Sequence, residues 1–264
     1  MPTHIKPFGF IMVRVVVTTI LFFITSVFFI KEKIAKNDWV KLLICGIFGI
    51  AINQLLFFKG LDLTSTVNAS LIMTCNPALV LIGAAIIIRE RITLTKTTGI
   101  LLGAGGAAIL ILMSHAGEEK DSAMLGDLCI FLNALSYALY LVMVKPLMKK
   151  YHPLTVIRWC FAFGLPFVVL AGFRDFGEVK WNEFDSTVWT AMFFVVIGST
   201  FAAYLLNIFA LRELSPSIVS AYIYVQPVVA MLITFIANHE RLSLTQVVST
   251  FLIFGGVYLV SKRE

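Results

Sequence analysis

Two amide side chains of this sequence each precede a proline within an apolar stretch. Asn76 stands before Pro77, and Gln226 stands before Pro227, 150 positions further along the chain. A proline inside a helix removes a backbone hydrogen bond and bends the helix, and in lipid the freed carbonyl needs a partner. We therefore expect two kinked helices, with Pro77 and Pro227 as the kinks, facing each other across a cavity. Each amide can serve the broken backbone, a neighbouring helix or a solute, and these alternatives stay open.

Other amides and phenols recur within the apolar stretches at helical spacing. Tyr222 shares a helix face with Gln226, and Tyr204 shares one with Asn207. A cavity lined by such groups suits an uncharged or zwitterionic organic molecule, although any one of them can equally make only an interhelical bond. The expected lining of a solute pathway is Asn76, Gln226, Tyr137, Tyr204, Asn207, Tyr222, Gln54 and Arg14.

Arg14 is the clearest charge inside an apolar stretch. Burying a charge in hydrocarbon is costly, so its guanidinium either pairs with an anionic substrate group or extends to the membrane interface. No Asp or Glu stands in the middle of an apolar stretch, so the sequence shows no carboxylate relay for protons. Facilitated exchange therefore fits as well as ion coupling.

The elements that must position these residues are membrane-spanning helices. Hydrophobic residues make up 59% of the 264 and charged residues 14%, and the mean hydropathy is +0.93, which exceeds what a water-soluble core can bury. Apolar runs of about 20 residues span a bilayer as helix, and their lack of alternation favours helices over a β-barrel. Nine such runs cover residues 8–30, 39–60, 66–88, 95–113, 126–148, 153–173, 187–210, 216–237 and 244–261.

An internal repeat relates the two halves of the chain. The aligned pairs include Asn76-Pro77 with Gln226-Pro227, Glu90-Arg91 with Glu240-Arg241, and Gly105-Gly106 with Gly255-Gly256. We expect a first repeat over residues 1–113, a connecting loop over 114–125 and a second repeat over 126–264. The second repeat carries five apolar runs and the first carries four, so one further helix is expected before Met1. A repeat of five spans inserts upside down relative to its twin, which gives two inverted repeats.

Local signals mark how the helices begin and pack. Thr93 and Ser243 are the predicted N-caps of helices that begin one residue later. The spacing from Gly99 to Gly103 permits close helix packing, within one chain or between two, so the oligomeric state stays open. We interpret four cysteines as small buried apolar side chains rather than disulfide or metal partners, namely Cys45, Cys75, Cys129 and Cys160.

The order of these features resembles the EamA-type branch of the drug/metabolite transporter superfamily. A short proline link, a helix with a proline in its middle, the sequence Glu-Arg-x-Ser/Thr-Leu and a Gly-rich helix occur twice, most specifically over residues 76–106 and 226–256. The resemblance implies a carrier of ten helices that exports or exchanges small organic metabolites such as amino acids.

The basic residues sort by side of the membrane. If residues 31–41 lie inside, alternation of the helices places most Lys and Arg inside, together with the C-terminus, as the positive-inside rule requires. The net charge of +6 therefore does not indicate a nucleic-acid partner. We expect a multi-pass protein of the cell membrane, of the bacterial inner-membrane type, whose partners are the lipid bilayer and a small-molecule substrate.

The sequence lacks the motifs of common enzyme classes. It has no GxxxxGK[ST] loop, no GxSxG elbow and no complete HExxH site, so we expect no catalysis, cofactor or metal. The predicted fold is an all-α membrane protein of two inverted repeats, with nine visible helices of the ten typical of the resembled family. We expect a secondary transporter of a small organic metabolite or drug that works by alternating access. The alternative is a truncated membrane protein or assembly partner that does not transport.

Overall fold

The computed structural model describes residues 5–114, 123–238 and 243–262, and every regular element in these residues is helical. The first half contains α1 (Pro7–Phe29), α2 (Trp39–Gly46), a π-helical segment (Ile47–Ile52), α3 (Asn53–Leu63), α4 (Thr66–Met73), α5 (Asn76–Ile87) and α6 (Leu94–Ser114). The second half contains α7 (Ala123–Met148), α8 (Pro153–Gly177), α9 (Ser186–Phe194), a π-helical segment (Val195–Ala202), α10 (Ala203–Glu213), α11 (Pro216–Ala221), a 3₁₀ turn (Tyr222–Tyr224), α12 (Val225–Asn238) and α13 (Leu244–Ser261). Short 3₁₀ turns also cover Lys36–Asp38 and Trp181–Glu183.

These elements form nine stretches that are long and apolar enough to cross a membrane within the described residues. The prediction of an all-α membrane protein is confirmed. Four of the nine stretches are interrupted helices: two run through π-helical segments, one breaks at Thr74-Cys75, and one passes through the 3₁₀ turn at Tyr222–Tyr224.

The element boundaries repeat at the offset of 150 residues. α3 begins at Asn53 and α10 at Ala203, while α6 begins at Leu94 and α13 at Leu244. Both predicted N-caps are confirmed. The Thr93 hydroxyl accepts from the Lys96 backbone N–H at 3.3 Å, and Ser243 forms a capping box with Gln246. The aligned Glu240 and Arg241 lie outside the described residues.

Equivalent helices of the two repeats pack antiparallel to each other. A Cβ added to Gly99 would lie 2.7 Å from the Gly256 carbonyl oxygen, and one added to Gly106 would lie 2.8 Å from the Ser249 carbonyl oxygen. Positions 99 and 249 are equivalent, as are 106 and 256, so the two contacts exchange roles as a twofold axis requires. α6 and α13 therefore run in opposite directions, which is the geometry of inverted repeats.

α1 and α8 show the same antiparallel arrangement. Gly172, near the end of α8, approaches Phe8 at the start of α1, where an added Cβ would lie 2.5 Å from the Phe8 carbonyl oxygen. Arg158, near the start of α8, donates to the Ser26 hydroxyl near the end of α1 at 2.9 Å. Each contact thus joins one end of α1 to the opposite end of α8, so the two helices run antiparallel.

The chain divides into two compact units, and each unit takes helices from both halves of the sequence. We name them unit 1 (Met1–Lys59 with Leu139–Glu213) and unit 2 (Gly60–Ala138 with Leu214–Glu264). A compact unit and a sequence repeat are different partitions of the chain. The division into repeats over 1–113 and 126–264 therefore stays a prediction.

In unit 2 the glycine-rich helices α6 and α13 pack within the chain. A Cβ added to Gly256 would lie 2.6 Å from the Gly103 nitrogen and 2.6 Å from the Gly99 oxygen, whereas Gly105 and Gly255 have nothing within 4 Å. The buried side chains around this contact include Tyr224 and Ile253. The question that the Gly99–Gly103 spacing left open is thus answered for this face, which packs on α13 of the same chain.

The cysteines follow the sequence interpretation only in part. Cys45 of α2 and Cys160 of α8 are buried in unit 1, but Cys75 is exposed and Cys129 is half-buried. The interpretation of Cys75 as a buried side chain was wrong. Cys75 lies in the break between α4 and α5, and its side chain is not covered by neighbouring side chains.

Candidate functional site

Arg14 of α1 lies in a polar cluster of unit 1. Its Nη2 donates to Oε1 of Gln54 at 2.9 Å, and Gln54 is buried. The guanidinium carbon lies 5.3 Å from the centroid of the Phe58 ring, in the geometry of a cation–π contact. The Nε atom of Arg14 is buried without a hydrogen-bond partner. Arg14 is therefore held by neutral groups and keeps unused donors.

The π-helical segments bring Gln54 and Tyr204 to this cluster. Gln54 is the second residue after the segment Ile47–Ile52, and Tyr204 is the second residue after Val195–Ala202. A π turn inserts one residue into a helix, which rotates the following side chains by about 100°. Within the second segment, the Thr200 hydroxyl donates to the Val195 carbonyl oxygen at 2.8 Å.

Gln54 and Tyr204 are equivalent positions of the repeat, and they contact each other. Nε2 of Gln54 donates to the Tyr204 hydroxyl at 3.5 Å, and this hydroxyl donates to the Gly49 carbonyl oxygen at 3.4 Å. Both distances are at the long limit of hydrogen bonding, so the hydroxyl is only loosely held. The structure thus brings together three of the predicted pathway residues, Arg14, Gln54 and Tyr204.

A second polar site lies in unit 2, where two equivalent helices are interrupted. Asn76 and Pro77 stand in the first turn of α5, and Pro227 stands in the first turn of α12. The two interruptions therefore lie just before the prolines. The physical reason is that the first turn of a helix has N–H groups without intrahelical acceptors, so a proline fits there without losing a bond.

The broken backbone of unit 2 finds protein partners. The Tyr224 hydroxyl donates to the Thr74 carbonyl oxygen at 3.1 Å, and these two residues are again equivalent positions. Nδ2 of Asn76 donates to the Ala134 carbonyl oxygen at 2.9 Å, while its Oδ1 is buried without a partner. The amide of Asn76 thus bonds a neighbouring helix through its nitrogen, one of the three alternatives, and leaves its oxygen unused.

The remaining predicted pathway residues make none of the contacts described above, although Tyr222 and Gln226 stand at the second interruption. Gln226 and Tyr222 are exposed, whereas Tyr137 and Asn207 are half-buried and each has an interaction partner. Sequence reasoning missed Tyr224 and Phe58 as members of the two sites. Two signals could have found them, since Tyr224 is equivalent to Thr74 and Phe58 follows Gln54 by four residues on one helix face.

Ion pairs at the ends of the spans connect the unit 1 helices. Asp38 accepts hydrogen bonds from Lys150 and from the Tyr151 hydroxyl, and the bond to Asp38 raises the pKa of the Lys150 ammonium. Lys6 pairs with Glu178, and the hydrogen bond from Lys6 lowers the pKa of the Glu178 carboxyl. These contacts tie the entry of α1 to the end of α8 and the entry of α2 to the link before α8.

The inverted repeat and the polar groups along its interrupted helices define a multi-pass membrane protein with the architecture of a transporter. The profile of the EamA-like transporter family matches residues 1–112 and 124–262. The chain belongs to this family, which makes it a membrane transporter whose setting is lipid and whose substrate is a small molecule.

Relatives of the chain occur in distant organisms, and two of the three described here are named uncharacterized transporters. The chain is 29% identical to the uncharacterized transporter YyaM of Bacillus subtilis (strain 168), over 88% of this chain and 76% of that protein. It is 27% identical to an uncharacterized transporter of Archaeoglobus fulgidus, over 98% and 90%, and 25% identical to protein WALLS ARE THIN 1 of Arabidopsis thaliana, over 92% and 72%. A solved crystal structure shares the fold with a TM-score of 0.79 at 18% identity, over 97% of this chain and 89% of that chain.

Proposed function

We propose that this protein is a secondary transporter that exports or exchanges a small organic solute by alternating access. The observation that carries the proposal is the pair of broken helices in unit 2, interrupted at Thr74-Cys75 and at Tyr222–Tyr224, at equivalent points of antiparallel repeats. In inverted-repeat carriers the substrate site is formed by discontinuous helices near the middle of the bilayer. Backbone that leaves a helix at that depth is tolerated only where protein or a water-filled cavity satisfies it.

The polar residues at the interruptions support a solute path. Asn76 places a buried amide oxygen without a partner at the first break, and Gln226 places an exposed amide at the second. We propose that these two amides, with Tyr137, Tyr204, Asn207 and Tyr222, line the path, and that Arg14 and Gln54 contribute a polar site to it. A path lined by amides and phenols suits a small organic solute.

The proposal is tested by exchange across a liposome membrane. Efflux profiling of cells that express the chain identifies a candidate solute, and the purified chain is then reconstituted. A carrier that alternates between two faces moves labelled solute faster when unlabelled solute is present on the opposite side. We expect this trans-stimulation. Flux without trans-stimulation would indicate a channel, and equal solute movement in liposomes with and without the protein would contradict transport.

We further propose that the C-terminus lies in the cytoplasm of a bacterial cell, with the protein in its inner membrane. The basis is the excess of Lys and Arg on the loops that share the side of the C-terminus. A C-terminal green fluorescent protein fusion should fluoresce, whereas a C-terminal alkaline phosphatase fusion should be inactive. The opposite pair of results would reverse the orientation.

A further inference from the structure

Arg14 is a membrane-embedded cation without a counterion in the described residues. A guanidinium carries five N–H donors. Among the described residues, Arg14 makes one hydrogen bond, from Nη2 to Gln54, while its Nε is buried and unpaired. No carboxylate within residues 5–114, 123–238 and 243–262 forms an ion pair with it. A cation in this position costs free energy unless a counterion is bound. An anion bound at Arg14 would therefore be stabilising.

The groups around Arg14 can turn their donors to an incoming oxyanion. The amide of Gln54 holds Oε1 toward Arg14 and has an N–H pair on its other side, which reaches Tyr204 only at 3.5 Å. The Tyr204 hydroxyl reaches the Gly49 carbonyl only at 3.4 Å. Hydrogen bonds of this length are weak, and a charge-assisted bond to an anion is about twice as strong as a neutral one. Both donors would therefore gain by rotating to an anion.

The side chains around Arg14 also indicate the chemical character of the rest of the ligand. Arg14 lies over the ring of Phe58, which packs edge-on against Phe10 with ring centroids 6.2 Å apart. The half-buried Phe58 ring offers apolar surface next to the charged group, whereas Phe10 is buried in the core behind it. A planar guanidinium matches a carboxylate in a two-pronged geometry. A single positive charge balances a single carboxylate. In the part of the chain that the structure describes, no acidic side chain stands within ion-pair distance of Arg14 to receive a second, ammonium, group.

We infer that Arg14, Gln54 and Tyr204 bind the carboxylate of an organic monoanion whose apolar part lies against Phe58. This inference rests on the proposed transport function and names the substrate class for it. It differs from the uncharged or zwitterionic ligand that the amides and phenols of the sequence suggest. The difference arises because the sequence shows Arg14 as an isolated charge, whereas the structure shows it with unused donors among neutral groups.

The first test measures binding to the purified full chain in an uncharged detergent. The probes are benzoate and hexanoate, their neutral amides benzamide and hexanamide, and the zwitterion phenylalanine. We expect the two carboxylates to bind in titration calorimetry and to raise the unfolding temperature, and the amides and phenylalanine to do neither at equal concentration. Equal binding of carboxylates and amides, a preference for phenylalanine, or no binding of either carboxylate would overturn the inference.

Arg14→Gln should weaken benzoate binding by about 10- to 100-fold, the equivalent of one hydrogen bond to a charged group. Arg174→Gln is the matched control, because it removes the same charge from an exposed position near the end of α8 and should leave benzoate binding unchanged. Unchanged binding in Arg14→Gln, or equal weakening in the control, would contradict the assignment of the site.

The Gln54→Glu variant distinguishes a loss of anion binding from a loss of folding. The new carboxylate would stand where Oε1 lies, 2.9 Å from Nη2 of Arg14, and would act as an internal counterion. We expect benzoate binding to fall by at least about tenfold, while the ligand-free unfolding temperature stays equal or rises. Wild-type affinity in this variant would show that the anion does not bind at Arg14. If neither variant folds, the preference of the wild type for carboxylates over amides decides.

A final arm separates a soluble anion from a lipid headgroup and the site from the transport function. Phosphatidylglycerol is titrated into the same detergent solution. Binding of this lipid through Arg14 without binding of the soluble carboxylates would overturn the inference. Arg14-dependent benzoate binding without trans-stimulated flux of any solute would support the site and count against the transport proposal. Trans-stimulated exchange of a neutral solute with no response to carboxylates would support the transport proposal and count against the anion site.

Discussion

In unit 1 the interrupted helices stay continuous through π-helical segments, whereas in unit 2 they break before Asn76 and at Tyr222–Tyr224. Both units bring a pair of equivalent residues into hydrogen-bonding contact, Gln54 with Tyr204 and Thr74 with Tyr224. The outcome differs. In unit 2 the tyrosine serves a backbone carbonyl that the break has freed, while in unit 1 the tyrosine is loosely held beside an arginine with spare donors.

This difference shows that a contact between equivalent residues of the repeat can satisfy broken backbone in one unit and leave polar donors unused in the other. A π segment keeps the helix intact, so the side chains that follow it remain available. A break leaves carbonyl groups without partners, and these must be satisfied first. We therefore expect substitutions in unit 2 to act mainly on stability and those around Arg14 to act mainly on ligand binding.

The largest expected effect breaks the packing of unit 2. Gly256→Ala places a methyl group 2.6 Å from backbone atoms of Gly99 and Gly103, and backbone cannot move aside like a flexible side chain. We expect a loss of about 3 kcal/mol in the free energy of unfolding, measured in detergent. Gly255→Ala, whose added Cβ would have nothing within 4 Å, is the control and should be neutral or slightly stabilising. Equal losses in the two variants would contradict the α6·α13 contact.

The next prediction compares the two tyrosines directly. Tyr224→Phe leaves the Thr74 carbonyl oxygen without its donor at 3.1 Å, which should cost about 1–3 kcal/mol of unfolding free energy. Tyr204→Phe removes hydroxyl contacts of only 3.4 and 3.5 Å and should cost less than about 1 kcal/mol. Thermal unfolding of the two variants under identical conditions measures the difference. A larger loss for Tyr204→Phe would reverse the comparison of the units.

Substitutions of the two amides beside the breaks should differ in their effect on stability. Gln226 is exposed, so Gln226→Ala should leave stability within about 0.5 kcal/mol and lower transport by about 2- to 10-fold, the equivalent of one neutral hydrogen bond. Asn76 is buried and bonds the Ala134 carbonyl, so Asn76→Ala should lower the unfolding temperature as well. Transport rates are compared at matched surface expression. Full activity of Gln226→Ala would remove this residue from the path.

The smallest effect concerns the exposed pair of Lys6 and Glu178 in unit 1. The pair lowers the pKa of the Glu178 carboxyl, so its stabilisation is present above the ordinary pKa of about 4.3 and is lost as the pH falls through the lowered value. Wild type should therefore unfold at a slightly higher temperature than Glu178→Gln at pH 6, and the difference should vanish at strongly acidic pH. A difference that grows on acidification would contradict the assignment.

Much of the fold could be predicted from local patterns. The start of α6 at Leu94 and of α13 at Leu244 follows from the caps at Thr93 and Ser243, because a capping side chain acts within one turn of its own helix. The candidate site was harder to predict from the sequence. Spacing grouped Gln226 with Tyr222, and both are exposed, but a shared helix face says nothing about which neighbour that face meets.

The amino-acid sequence by itself determined the membrane setting, the nine helical spans, the offset of the repeat and its inversion, because hydropathy, cap residues and the parity of spans act through local chemistry and topology. Only the tertiary structure decided that Gly256 and not Gly255 faces α6, that Tyr224 serves the backbone at the first break, and that Gln54 and Tyr204 meet beside Arg14. These contacts depend on the rotation of each helix and on antiparallel register. One inserted π turn changes that rotation by about 100°, and hydropathy carries no trace of it.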